Sequence, residues 1–301
     1  MIVGSLNADL FVEVAALPRP GETVRGSDLT VRPGGKGANQ AAAAGLLGAD
    51  VTMIGAVGAD DHGRLLLSAA ASAGVRTEVI RTVDVATGTA MITVDGQGEN
   101  TIIISAGANA LLSRDDARAG IQDQTVVVGL CLEIGAETVS ASVARAKEVG
   151  ATVVLNLSPF RRVEPGVLAG VDVLLVNEIE LGQLVGAFDD LDQARSRLAD
   201  AGIGRAVVTL GDAGAAILDA DGPTIRRIAS PRVEVVDTTG CGDAFAGALI
   251  TRLAAGDELD DAVITAVLVG AYAATGRGAQ PSYPTAQQLA AWAPVTVLDS
   301  P

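Results

Sequence analysis

Short runs rich in valine and leucine recur along this chain and alternate with helical segments, and this alternation constrains the fold most strongly. The runs include TVVVGLCL (125–132), ATVVLNL (151–157) and VDVLLVN (171–177). Because their consecutive residues are apolar, both faces of each strand must be covered, which is typical of a parallel sheet between layers of helices. The segment ETVSASVARAKEVG (137–150) is one of the helical segments between them. The pattern predicts an α/β fold with a three-layer, doubly wound, mostly parallel sheet.

Two stretches interrupt the alternation. Residues 10–33 and 88–105 contain β-prone segments separated by turn residues, with no helical segment inside either stretch. They predict a small β lid attached to the main sheet. Since no low-complexity linker or internal repeat separates the segments, we expect residues 1–301 to form a single domain.

The charge and the apolar content exclude several functions. A net charge of −15 argues against binding to polymeric nucleic acid, which requires a basic face. A nucleotide remains compatible, because backbone N–H groups can hold its phosphates. The longest apolar span, residues 262–276, is shorter than the roughly 18 residues of a membrane helix and predicts a buried core helix. Cys131 and Cys241 are too far apart for a zinc motif or a disulfide framework, and we expect a cytoplasmic protein.

The segment VVDTTGCGDAFAGALI (235–250) combines two glycines, an acid and the start of a helix. The first N–H groups of that helix would point toward the glycines, with the positive end of the helix dipole behind them, so they could hold an anion. Asp243 could orient a hydroxyl group and accept its proton, as phosphoryl transfer requires. Phe245 stands where the dinucleotide fingerprint needs a third glycine. From these residues alone, an ordinary helix N-terminus with a favourable acid remains the alternative.

A second group of polar residues lies in GSLNADL and PGGKGANQA. Asn7 and Asp9 alternate as the chain leaves the first predicted strand, so they share one side of it. Asp9 could accept hydrogen bonds from two adjacent hydroxyls, while Gly35 permits close approach and Lys36 and Asn39 add donors. A sugar needs such a density of polar groups; a simple turn at Asn7 and Asp9 is the alternative.

Seven segments resemble, in the same order, those of the ribokinase-like (PfkB) carbohydrate kinases. They are GSLNAD, PGGKGANQAAAAG, SAGAN, NEIE, TLGDAG, DTTGCGDAFAGAL and GRGAQPS, which cover residues 4 to about 282. GGKGANQ and DTTGCGD resemble that family's two signatures. The resemblance implies a three-layer α/β domain with a β lid, ATP as phosphate donor and Mg²⁺ as counter-ion.

The resemblance also implies roles for individual residues. Asp243 is expected to be the catalytic base, and Gly240, Cys241 and Gly242 the anion hole for the transferred phosphate. Cys241 replaces the family's usual alanine, but its backbone N–H is the relevant group; the thiol either packs as a small apolar group or is reactive at the helix N-terminus. The implied sugar-binding residues are Asn7, Asp9, Gly35, Lys36, Asn39, Glu133 and Asp243.

Nucleotide and metal sites follow from the same resemblance. The implied nucleotide-binding residues are Asn177, Thr209, Gly211, Gly214 and Gly242. Asn177 and Glu180 are expected to organise Mg²⁺ through water, although on their own they predict a capping box. Thr209 and the glycines after it would alone predict a hairpin turn. The implied potassium-binding residues are Asp237, Thr239, Ala273, Gly276, Gly278 and Ser282, for which an ordinary Gly/Pro turn is the alternative.

The substrate and the oligomeric state are the most detailed expectations from the sequence. GGKGANQ, with Lys36 and Gln40, resembles the ribose-phosphorylating members more than the fructokinases or nucleoside kinases, so we expect transfer to the 5-hydroxyl of D-ribose. Deoxyribose, another pentose or a nucleoside is the alternative substrate, and a catalytically silent sensor is an alternative that the intact Asp243 disfavours. The open edges of the lid predict a homodimer, which repulsion at a net charge of −15 would oppose.

Overall fold

The computed structural model describes residues 1–222 and 224–292. Residues 223 and 293–301 of the predicted domain lie outside the described residues. That all 301 residues form one domain stays a prediction.

An eight-stranded sheet lies at the centre of the fold, as the alternation predicts. Its strands are Ile2–Val3 (β1), Met53–Ile54 (β4), Val127–Leu130 (β9), Thr152–Asn156 (β10), Val173–Asn177 (β11), Arg205–Thr209 (β12), Ala215–Asp219 (β13) and Arg226–Ile228 (β14). Their order in the sheet is β14-β13-β12-β11-β10-β9-β1-β4. Along the sheet, the neighbouring strands β4, β1, β9, β10, β11 and β12 are parallel. β13 pairs antiparallel with β12, and β14 pairs antiparallel with β13.

Helices cover both faces of this sheet. They are Lys36–Leu46 (α1), Asp61–Ser72 (α2), Arg114–Gly120 (α3), Ala136–Glu148 (α4), Pro165–Leu168 (α5), Glu178–Val185 (α6), Leu191–Asp200 (α7), Cys241–Ala254 (α8), Leu259–Ala273 (α9) and Ala286–Ala291 (α10). Val154 packs toward α1, α8 and α9, whereas its neighbours Val153 and Leu155 pack toward α4, α6 and α7. Successive strand residues therefore serve opposite cores, which explains the uninterrupted apolar runs.

The lid is a separate four-stranded sheet. Its strands are Asn7–Glu13 (β2), Thr30–Gly34 (β3), Gly88–Val94 (β7) and Asn100–Ser105 (β8), in the order β3-β2-β7-β8. β2 and β7 are parallel, and the other two pairs are antiparallel. The prediction of β structure over residues 10–33 and 88–105 is confirmed, since both stretches contribute strands to this one sheet.

One predicted strand is wrong in detail. VTMIGAV is divided between β4, in the main sheet, and Ala56–Gly58 (β5), which pairs with Arg81–Val83 (β6). The division falls at Gly55, whose carbonyl accepts from the Arg81 N–H rather than from the main sheet (2.9 Å).

The predicted core helix at 262–276 is confirmed as α9. Nowhere in residues 1–222 and 224–292 does a helix combine the length and the apolar character needed to cross a membrane.

Close contact between α1 and α8 brings the two signature segments together. At Gly247, a Cβ atom would lie 2.5 Å from the Gln40 carbonyl oxygen and 2.7 Å from Ala43 Cβ. Only glycine allows the two helices to approach this closely. The approach places the polar start of α1 against the start of α8.

Candidate functional site

Asp243 is the third residue of α8, and its side chain is buried. Asn39 Nδ2 donates to Asp243 Oδ2 (3.0 Å), and Gln40 Nε2 donates to Asp243 Oδ1 (3.2 Å). Each carboxylate oxygen therefore accepts one hydrogen bond from α1. Because an ionised carboxylate is an acceptor only, two amide donors stabilise the charged form that a base requires.

The start of α8 forms a cradle of N–H groups. Gly240 has a left-handed conformation (φ 75°), and a Cβ atom there would lie 2.5 Å from Ala279 Cβ and from Tyr283 Oη. The Gly242 and Asp243 N–H groups make no hydrogen bond to any described residue. The Cys241 N–H, assigned to the anion hole from the sequence, instead donates to the Thr238 carbonyl (3.2 Å). The Gly240 N–H likewise donates to no described residue, so the free donors at this helix start are those of Gly240, Gly242 and Asp243.

The Cys241 thiol is half-buried and lies 3.8 Å from the Asp237 carbonyl oxygen. Burial, followed by the charges of Asp237 and Asp243, raises the pKa of Cys241 to about 11. A thiol with this pKa is protonated near neutral pH, so the packing interpretation is favoured over the reactive one.

A cavity of about 820 Å³ opens beside this cradle. Four of the five predicted nucleotide-binding residues line it, namely Thr209, Gly211, Gly214 and Gly242. Thr209 and Gly214 lie on either side of the turn between β12 and β13, so the hairpin predicted from these residues alone is also present. The other wall includes Phe245, Val267 and Ala271, which offer an apolar surface.

The predicted sugar-binding residues lie where the lid meets the main sheet. Asn7 and Asp9 alternate along a strand and share one side of it, as predicted, but that strand is β2 of the lid and not the first strand, since β1 ends at Val3. Glu133, which follows β9, accepts hydrogen bonds at Oε2 from Ser5 Oγ (2.5 Å) and the Lys36 N–H (3.1 Å), with Asn7 Nδ2 at 3.5 Å.

Three carboxylates and one ammonium group influence one another here. Burial, then the charges of Glu133 and Asp243, raises the pKa of Asp9 to about 7. The charge of Asp243 is the largest influence on Lys36, and its pKa is raised although burial opposes the change. A positively charged Lys36 and a readily protonated Asp9 therefore lie beside the base.

The predicted magnesium residues form the capping box that their spacing allows. Asn177 Oδ1 accepts from the Glu180 N–H (2.8 Å), and Glu180 Oε2 accepts from the Asn177 N–H (2.9 Å). Within residues 1–222 and 224–292, no three His, Cys, Asp or Glu side chains are grouped to hold a metal. Mg²⁺ that is bound mainly through water and substrate phosphates needs no such group. The side-chain oxygens of Asn177 and Glu180 therefore fit that mode of binding.

The predicted potassium loop is held together by one carboxylate. Asp237 accepts from the Thr239 N–H (2.9 Å) and the Gly278 N–H (2.8 Å). Burial opposes ionisation, but hydrogen bonding from the Thr239 side chain, and then from the Gly278 and Thr239 backbone, keeps the pKa of Asp237 below its ordinary value. The Ala273 carbonyl accepts from the Gly276 N–H (3.1 Å), and Ser282 Oγ donates to the Ala279 carbonyl (2.8 Å). A charged carboxylate among carbonyl oxygens suits a large monovalent cation.

Several polar residues contribute contacts that the sequence did not predict. Asn109 exchanges hydrogen bonds with the Leu6 backbone and donates to Asn7 Oδ1 (2.8 Å). Gln280 Nε2 donates to Asn39 Oδ1 (3.0 Å), and Tyr283 Oη donates to the Gly240 carbonyl (3.0 Å). Asn109 lies in SAGAN and Gln280 lies in GRGAQPS. The motifs therefore indicated that these segments belong to the site, but they did not predict which residues the two side chains contact.

Comparison with known proteins agrees with this geometry. Residues 1–286 match the model of the pfkB family carbohydrate kinases. The chain is 35% identical to the ribokinase of Haemophilus influenzae, covering 95% of each, and 33% identical to the deoxyribokinase of Salmonella typhi, covering 96% of each. The structure of Arabidopsis thaliana ribokinase complexed with ribose and ATP superposes with a TM-score of 0.87 at 30% identity, over 96% of each chain. The chain therefore belongs to the pfkB family of carbohydrate kinases and is a phosphotransferase that acts on an alcohol group.

Proposed function

We propose that this protein transfers the γ-phosphate of ATP to the 5-hydroxyl of D-ribose, giving D-ribose 5-phosphate. The observation that carries the proposal is the position of Asp243. Its carboxylate is oriented by Asn39 and Gln40 of α1, the helix whose first residue, Lys36, donates to Glu133 beside the lid. The residue before it, Gly242, lines the 820 Å³ cavity. Ribose and ATP together in the Arabidopsis thaliana structure, which has the same fold, support this pair of substrates.

The residues of this chain would divide the reaction between them. Asp9 and Asn7 hold sugar hydroxyls, Asp243 orients the reacting hydroxyl and accepts its proton, and the free N–H groups of Gly242 and Asp243 face the transferred phosphoryl group. A weak base is sufficient, because the loose transition state releases the proton late. Mg²⁺, held through water by Asn177 and Glu180, would neutralise charge on the ATP phosphates.

The sugar preference is tested by comparing ribose with 2-deoxyribose and adenosine. Deoxyribokinase is nearly as similar to this chain as ribokinase, so the absent 2-hydroxyl is the decisive difference between candidates. A hydroxyl that accepts or donates one hydrogen bond contributes about 0.5–1.5 kcal/mol. We expect kcat/KM for ribose to exceed that for deoxyribose by about tenfold, measured with saturating Mg²⁺-ATP. An equal or higher kcat/KM for deoxyribose or adenosine would change the proposed substrate but would leave the assignment as a kinase in place.

A potassium requirement belongs to the same proposal, with Asp237 and the 273–282 loop as the binding site. We expect kcat to rise when KCl replaces NaCl at equal concentration, because screening of the net charge is then constant. Asp237→Ala should lower kcat to the potassium-free value and abolish the response, whereas Asp261→Ala, on the exposed start of α9, should keep it. Indifference of the parent enzyme to the cation would remove the potassium site and leave the sugar kinase in place.

The lid also supports a proposed homodimer. The β8 edge of the lid carries Ile102, Ile103 and Ile104, all exposed, and such an edge can pair with a second chain. We expect light scattering to give twice the monomer mass. Ile103→Lys should shift the protein to monomer if this edge forms the contact. A parent protein that is monomeric with and without ribose and ATP would contradict dimerisation through the lid.

A further inference from the structure

Two amide side chains connect the catalytic base to the loop at 273–282. Gln280 Nε2 donates to Asn39 Oδ1, and Asn39 Nδ2 donates to Asp243 Oδ2, each at 3.0 Å. Gln280 lies 241 positions from Asn39 and makes no hydrogen bond to Asp243. Its influence on the base must pass through Asn39.

The direction of the two hydrogen bonds follows from the charge of the base. An ionised Asp243 can only accept, so Asn39 must present its NH₂ group to it. The Asn39 oxygen then points away from the carboxylate. Because the Asn39 side chain is buried, that oxygen needs a donor from the protein, and Gln280 supplies it. Without Gln280, the buried Asn39 oxygen loses its donor, and only the hydrogen bond to Asp243 then opposes reversal of the Asn39 amide.

The segment 278–283 holds Gln280 in this position. Its first residue, Gly278, donates to Asp237 Oδ2 (2.8 Å), and its last, Tyr283, donates to the Gly240 carbonyl (3.0 Å). These two hydrogen bonds attach both ends of the segment to the turn that precedes α8. The Tyr283 side chain is also buried. Gln280, between them, reaches across to α1. The base is therefore oriented from α1 and from this segment at once.

We propose that Gln280 is a positioning residue for Asp243 that acts by fixing the orientation of the Asn39 amide. The inference rests on the proposed sugar-kinase function and extends it to a residue of the 273–282 loop that is not among the predicted site residues. It differs from a purely structural role, because it predicts a loss of kcat that leaves the KM for ATP unchanged and that depends on Asn39.

The test replaces Gln280 by methionine, which keeps its length and removes its donor. Gln287→Met is the matched control, since Gln287 is exposed on α10, away from the site. With saturating ribose and ATP, we expect kcat of Gln280→Met to fall about tenfold, the scale of one neutral hydrogen bond. The KM for ATP should be unchanged.

A double-mutant cycle separates the relay from general loosening. In an Asn39→Leu background, Gln280→Met should change kcat by a factor close to one if Gln280 acts through Asn39. If the effects of the two substitutions on kcat multiply, the relay is overturned. An unchanged kcat in Gln280→Met, when the parent is active, would also overturn it. If Gln280→Met does not fold, Gln280→Glu preserves size and cannot donate at neutral pH, so it is expected to show the same fall. A parent that phosphorylates no sugar would overturn the proposed function and this inference together.

Discussion

Replacing Asp243 by asparagine is expected to lower kcat about 100-fold or more, the usual scale for loss of a general base. Asparagine preserves the shape of the side chain but removes both the proton acceptor and the charge. It also brings a third amide to the site where Asn39 and Gln40 already donate. The measurement is steady-state turnover with saturating ribose and ATP, together with ATP binding by calorimetry, which should persist.

Asp261→Asn is the matched control for this prediction. Asp261 is the third residue of α9, as Asp243 is the third residue of α8, but its side chain is exposed. The same change at the same helical position should leave turnover close to that of the parent. Near-normal turnover in Asp243→Asn, with its folding confirmed by thermal unfolding, would contradict the assignment of Asp243 as the base.

The second large effect is expected for Asp9→Ala, which removes the carboxylate that accepts from the sugar hydroxyls. A hydrogen bond to a charged group contributes about 1.5–3 kcal/mol, so the apparent affinity for sugar should fall by tens-fold or more. Affinity for ATP should change little, because the 820 Å³ cavity is lined by other residues. Asp28→Ala, at an exposed position of the lid, is the control. A selective loss of ATP affinity would place Asp9 at the wrong end of the site.

The raised pKa of Asp9 predicts how sugar binding depends on pH. Burial beside Glu133 and Asp243 raises its pKa to about 7 in the free protein, and only the ionised form accepts from two hydroxyls. Since the sugar then favours the ionised form, its affinity should rise as the pH increases through about 7 and fall below it. Ribose titrations between pH 6 and about pH 8.5 should show this slope in the parent and not in Asp9→Ala. The same slope in both proteins would assign it to another group.

The sequence alone was sufficient for the layers of the fold. Runs such as ATVVLNL have consecutive apolar residues at Val153, Val154 and Leu155, and only a strand covered on both faces buries all three. The resemblance of GGKGANQ and DTTGCGD to family signatures also indicated the kinase and the base. Where a local glycine changes the course of the backbone, the pattern was insufficient: VTMIGAV appeared as one strand and is two, in different sheets.

What the sequence by itself determined, then, is the local structure and the chemical type of each segment, because periodicity, capping and glycine turns depend on neighbouring residues. Only the tertiary structure decided which side chains orient the base, Gln40 directly and Gln280 through Asn39. Gln40 and Gln280 lie 203 and 37 positions from Asp243, and no spacing rule connects residues so far apart. Their contacts arise because Gly247 lets α1 approach α8 and because Asp237 and Tyr283 attach segment 278–283 to the start of that helix. Such contacts depend on packing between distant elements, which becomes visible only when the chain is folded.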